Sequence, residues 1–231
     1  MRLGIERLIF HENRPYRYRI YDGGGQLLWI ADREEPWRIY HTRRVHFRAP
    51  NGDPVGRLEP PPDLPWVEGT TYYLLTPDEE LPSWSLLASI TQRYTPADDL
   101  LQRLPDYELE FAGRLFVARG SRYADRLYEI FEGEVLREIV PAGRPVQRAE
   151  SLAQVRLRRI LNNAERLAQA AEKPARRRRR LPPAEVVHPI EGFCYEIGVR
   201  SPVLKRYPLL VAALVILVDM AIAETPDFRP I

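Results

Sequence analysis

The chain has 231 residues, 45% of them hydrophobic and 29% charged. A length of roughly 200–250 residues suits one all-β domain or two small ones, and it is long enough to bury a core. A single cysteine, Cys194, excludes an intramolecular disulfide and a cysteine-rich metal site. Net charge is +2, yet of the 34 basic residues only Lys173 and Lys205 are lysine. Arginine usage this lopsided has two readings: a compositional bias of the genome, or a surface selected for bidentate contacts with phosphate or carboxylate.

No apolar stretch of signal-peptide length follows the charge in Met1-Arg2-Leu3-Gly4-Ile5-Glu6. A cytoplasmic protein is therefore expected. Most of the first 140 residues then read as short strands divided by turns. Tyr16-Arg17-Tyr18-Arg19-Ile20-Tyr21 alternates with period two, which puts Tyr16, Tyr18 and Ile20 on one face and Arg17 and Arg19 on the other. Asp22-Gly23-Gly24-Gly25 turns the chain into Gln26-Leu27-Leu28-Trp29-Ile30. Val45-His46-Phe47-Arg48-Ala49 and Val55-Gly56-Arg57-Leu58 flank Asn51-Gly52, a strong turn pair. Further strand pairs are Thr70–Leu75 with Ser85–Ile90, Tyr107–Phe111 with Arg114–Ala118, and Leu127–Phe131 with Val135–Val140. Many short strands with no βαβ rhythm argue for a sandwich or a barrel.

The character changes after Gly143. From Ser151 to Glu172 the spacing predicts a helix, with Leu157, Ile160, Leu161, Ala164, Leu167, Ala168 and Ala171 in an apolar stripe. Pro174 ends it, and the run Arg176, Arg177, Arg178, Arg179, Arg180 follows. Phe193–Val199 reads as a strand. The segment 207–224 then reads as a helix that is apolar around its whole circumference, with Leu209–Val218 uninterrupted and Asp219 after it. Such a helix is either a core element or a membrane span. A span needs about 20 apolar residues, and shorter runs are more often buried. An intramembrane Asp219 would also need a partner. A buried helix is expected, with a C-terminal tail anchor as the alternative.

Three stretches carry the chain's most specific likeness. Tyr18-Arg19-Ile20-Tyr21-Asp22-Gly23-Gly24-Gly25-Gln26-Leu27-Leu28 looks like a first hairpin, and Tyr107-Glu108-Leu109-Glu110-Phe111-Ala112-Gly113 like a mid-chain strand ending in glycine. Tyr195-Glu196-Ile197-Gly198-Val199 with Leu209–Met220 looks like a final strand and core helix. Together they resemble the LURP-one-related family and, more distantly, the phospholipid scramblases and tubby proteins. The likeness covers residues 10–140 and 190–225. It implies a mainly β (α+β) fold: a closed antiparallel barrel of about 12 strands around a buried hydrophobic C-terminal helix, in one domain spanning 1–231. Residues 141–185 depart from the family pattern and read as a helical, Arg-rich insertion. Tubby proteins bind phosphoinositides and scramblases act on membranes, so the resemblance implies a lipid-facing role. No lipid-contacting residue of those proteins is carried over to this chain.

No catalytic constellation is present: no G-x-S-x-G, no phosphate loop with Lys-Ser/Thr, and no H-E-x-x-H. Of the four histidines, His41 and His46 are closest, at a spacing that suits neither one helix face nor one strand face. No metal, no cofactor and no enzymatic activity are expected. Glu108 and Glu110 share a strand face and read as solvated charge, and Cys194 as a small buried hydrophobe. Candidate anion contacts are Arg44, His46 and Arg48 on one strand face, Arg17 and Arg19 on another, and Arg176–Arg180. Such groups attract acidic lipid head groups or nucleic-acid phosphates. The plainer reading of each is solvated charge paired with nearby acids. The expected function is a non-enzymatic binding module engaging an anionic lipid or membrane surface as a peripheral protein. The alternatives are protein–protein interaction or scaffolding through the 151–172 helix, and nucleic-acid binding through the arginine run.

Overall fold

The computed structural model describes residues 1–9, 15–34, 43–61, 70–78, 83–93, 105–120, 128–133, 152–159 and 193–224. Twelve strands form a closed antiparallel barrel. They are β1 (Arg2–Ile9), β2 (Pro15–Asp22), β3 (Leu27–Arg33), β4 (Val45–Arg48), β5 (Pro54–Glu59), β6 (Thr71–Pro77), β7 (Trp84–Arg93), β8 (Asp106–Phe111), β9 (Arg114–Gly120), β10 (Tyr128–Glu132), β11 (Ala153–Arg159) and β12 (Phe193–Val199). Each pairs with its chain neighbour, and β1 pairs with β12 to close the ring. Two helices follow, α1 (Pro202–Lys205) and α2 (Pro208–Glu224).

Period-two alternation sends one face of every strand inward. Leu3 and Ile5 of β1, Tyr18 and Ile20 of β2, Tyr72 and Leu74 of β6, and Tyr195 and Ile197 of β12 are all buried. A ring this wide leaves a bore that strand side chains alone do not fill, and α2 occupies it. Every residue from Leu209 to Ala221 is buried. An all-round apolar helix suits an all-round apolar wall. The wall makes room with small residues: Ala31, Ala88, Ala118 and Ala153 are buried. At Gly56 a Cβ would lie 2.7 Å from Leu209 Cδ2 and 3.2 Å from the Leu75 carbonyl oxygen, so a side chain there would force Leu209 to shift. Among the described residues, no helix is long and apolar enough to cross a membrane. The segment 207–224 is thus the barrel's core, and the anchor alternative has no support from its placement.

One expectation is corrected. Ala153–Arg159 is a strand, not the first part of a helix. It pairs with β10 through Tyr128↔Val155 and with β12 through Val155↔Ile197. Ala153 and Val155 are buried while Gln154 between them is half-buried, a strand period that two flanking ladders fix. Residues 160–172, Val135–Val140 and the rest of the 141–185 insertion lie outside the described residues.

The turns obey local chemistry. Gly52 takes φ +96° in the β4–β5 turn, as the Asn51-Gly52 pair predicts. The β8–β9 turn is less well matched. Ala112 and Gly113 both have positive φ, 49° and 68°, the signature of a two-residue hairpin loop that favours Asn-Gly. A left-handed alanine costs roughly 1–2 kcal/mol, which asparagine partly relieves. Ala112→Asn is therefore expected to stabilise the protein by about 1 kcal/mol and raise Tm by about 2–4 °C. Thermal unfolding checks this.

Candidate functional site

The antiparallel order gives the barrel two distinct ends. At the entry end, α2 comes in after β12, and the turns between β2 and β3, β4 and β5, and β8 and β9 are short. At the exit end, α2 finishes, and the segments joining β1–β2, β3–β4, β5–β6, β7–β8, β9–β10 and β11–β12 all leave and return.

The wall facing the exit half of the helix is polar and aromatic. Five of the six even-numbered strands carry a fully buried tyrosine near their first residue: Tyr18, Tyr72, Tyr107, Tyr128 and Tyr195. Arg7, Arg33, Arg43 and Gln92 are also buried and lie at the same end. Each keeps the inward parity of its strand: Arg7 follows Leu3 and Ile5, Arg33 follows Ala31, and Gln92 follows Ala88 and Ile90. Tyrosine suits such a layer because its ring packs while its hydroxyl finds a partner.

Two clusters organise this layer. In the first, Asp219 of α2 is fully buried and accepts three hydrogen bonds. Arg7 Nη1 donates to Oδ1 at 3.0 Å, Tyr18 Oη donates to Oδ2 at 2.9 Å, and Tyr195 Oη donates to Oδ1. A buried carboxylate without such donors would be prohibitively costly. In the second, Arg43 Nη1 donates to Tyr72 Oη at 3.1 Å and to Gln92 Oε1 at 3.4 Å. Nearby, Tyr128 Oη donates to the Pro105 carbonyl at 2.5 Å, and the Tyr107 and Tyr128 rings lie 5.8 Å apart. The exit end is also where the C-terminal partial negative charge of α2 falls, which favours arginines there.

Burial raises the Asp219 carboxyl above its ordinary value, while Arg7, Tyr195 and Tyr18 pull it back down. Burial and the adjacent Asp219 push the Tyr18 and Tyr195 hydroxyls well up, so both remain hydrogen-bond donors. With its folded pKa raised, Asp219 contributes stability that is complete below its unfolded value of about 3.9 and is lost as pH rises through the folded value. Glu34 runs the other way. Its hydrogen bond from Arg44 holds its carboxyl below the usual range, so its contribution exists above the unfolded value and is lost as pH falls through the folded one. Acid therefore weakens the Arg44–Glu34 pair.

The arginines singled out in the sequence sit on that outer wall, apart from the inner layer. Arg17 is paired with Asp32 across β2–β3 at 2.5 Å, and Arg19 lies 3.7 Å from Glu6 across β1–β2. Arg44 bonds Glu59 at 2.6 Å and Glu34 at 2.9 Å, and His46 Nε2 lies 3.6 Å from the same Glu34. Arg48 is exposed at the end of β4. Arg17, Arg19 and Arg44 are thus paired with acids on the outer wall. Glu108 also lies on the outer wall and takes Arg93 at 2.8 Å. Arg176–Arg180, His41 and the side chain of Cys194 lie outside the described residues. Among the described residues, no group of three His, Cys, Asp or Glu side chains is placed to hold a metal ion.

Fold and inner layer together define the class: an up-and-down antiparallel barrel filled by its own C-terminal helix, which is keyed at one end by a buried carboxylate. No protein-family model matches the chain, and no curated protein matches it. Among solved structures, the X-ray structure of a protein from Arabidopsis thaliana is similar over 95% of this chain and 91% of that one, with TM-score 0.43 and 11% identity. Similarity at this level transfers neither family nor function.

Proposed function

We propose that the protein is a non-enzymatic binding module of the tubby/scramblase-like kind, acting as a peripheral cytoplasmic protein at an anionic lipid surface through Arg176–Arg180. One observation carries this reading. The segment between β11 and β12, which contains the arginine run, starts and finishes at the exit end. Among the other candidate basic groups, Arg17, Arg19 and Arg44 hold acids on the wall, and α2 fills the bore. Each basic residue near an acidic bilayer is worth about 1 kcal/mol, so five in a row give useful affinity without a pocket.

A second reading has its own observation. Tyr73, Trp84 and Leu86 are 41%, 36% and 61% exposed on the neighbouring strands β6 and β7, a feature that suits a protein partner.

Co-sedimentation with neutral and phosphatidylserine-containing vesicles, at low and high salt, tests the first reading. Binding is expected to the anionic vesicles alone, to be reversed by salt, and to disappear when Arg176–Arg180 are all replaced by serine. Binding that persists in that variant, or no binding to either vesicle, rejects it. Competition by single- or double-stranded nucleic acid at equal charge would favour the phosphates of nucleic acid over a lipid surface.

A further inference from the structure

Between Leu209 and Val218, α2 presents only leucine, valine, isoleucine and alanine. Burial of such side chains is favourable but non-directional. A slide of one turn, about 5.4 Å, or a rotation about the axis would exchange one aliphatic residue for another against a wall that is itself largely apolar. The close approach of Leu209 to Gly56 favours one depth by shape, but no side chain in that stretch carries a directional group.

Asp219 is different in kind. Its two oxygens take donors from three strands that are consecutive in the ring: Tyr195 on β12, Arg7 on β1 and Tyr18 on β2. Hydrogen bonds are directional, and three at once fix both height and angle. We propose that Asp219, Arg7, Tyr18 and Tyr195 form a register key that selects one depth and one rotation of α2 inside the barrel. In a displaced helix, Arg7 would face an aliphatic side chain and its buried charge would lose this carboxylate, which strongly disfavours the slipped arrangement. Single buried polar residues set register in coiled coils by the same logic. The key also lies across the seam where the first and last strands meet, so the contacts that seat the helix tie β1 and β12 together. The inference is independent of what the module binds.

The test uses the full chain with the key replaced by apolar residues of similar size: Arg7→Met, Tyr18→Phe, Tyr195→Phe and Asp219→Leu together. The readout is NMR of the Leu, Val and Ile methyls and of the aromatic rings. The native protein is expected to give one set of helix signals, with contacts between Leu209 and Gly56 and between Tyr207 and Phe111. The keyless chain is expected to fold but to populate displaced helices at least tenfold more, seen as extra or exchange-broadened signals and weakening of both contacts. A control with only Tyr18→Phe and Tyr195→Phe retains the ion pair and is expected to fold with one signal set. Two results overturn the proposal while that control folds. A keyless chain with a single native set would mean that apolar shape alone fixes the register. A keyless chain with no folded signal would make the cluster a stability element and not a selector.

Discussion

Deleting residues 207–231 is expected to leave a chain that is unfolded or insoluble. The reason is the amount of apolar surface that α2 covers. Leu209, Leu210, Val211, Leu214, Ile216 and Leu217 are all buried. At roughly 1.5–3 kcal/mol each, they contribute on the order of 10–20 kcal/mol, as much as the whole net stability of a typical domain. Their loss also uncovers the inward faces of twelve strands, including Phe47, Phe116 and five tyrosines. Expression of the truncated chain followed by circular dichroism and size-exclusion chromatography checks this. A folded, monodisperse truncation would show that the barrel closes without its filling.

Asp219→Leu is expected to cost about 3–5 kcal/mol, although it replaces a charged core residue with an apolar one. The substitution takes the carboxylate away from a buried guanidinium and leaves two buried phenols without this acceptor. Adding Arg7→Met should recover most of the loss, because a buried ion pair replaced as a unit by apolar groups is often neutral or better. Chemical denaturation of the native protein, both single variants and the double variant closes the cycle. A coupling energy near zero would mean that Arg7 and Asp219 do not share their burial cost.

What the sequence made legible, and what it did not, follows the distance over which each feature is decided. The β2–β3, β4–β5 and β8–β9 hairpins are written in their own turns, and Asn51-Gly52 is enough to place one. The all-round apolar character of Leu209–Val218 likewise announces a buried helix without any knowledge of its surroundings. β11 is misread because Ala153-Gln154-Val155-Arg156-Leu157 alternates only briefly before the alanine-rich residues that follow. Only its ladders with β10 and β12 settle the period. β1 goes unnoticed because Arg7 occupies an inward position where an apolar residue would be expected. The arginines chosen as anion contacts were legible as a shared face, but their acids were not. Arg17 meets Asp32 fifteen residues along, through a register that only the folded sheet reveals. The inner cluster is furthest from local reading, since Arg7 and Asp219 are 212 positions apart. The available signal was Asp219 itself, a carboxylate too costly to bury without donors.

The seam between β1 and β12 also dictates the order in which this protein can be assembled. A nascent chain presents β1 first, but the partner that completes its ladder is the last strand made, and the helix that fills the bore comes later still. Long-range pairing of this kind makes for slow folding. Throughout synthesis, a growing sheet with two open edges and an uncovered apolar face is exposed to aggregation. Folding on the ribosome therefore cannot finish strand by strand, and the protein's yield in a cell should depend on how well chaperones shield the open sheet until α2 emerges.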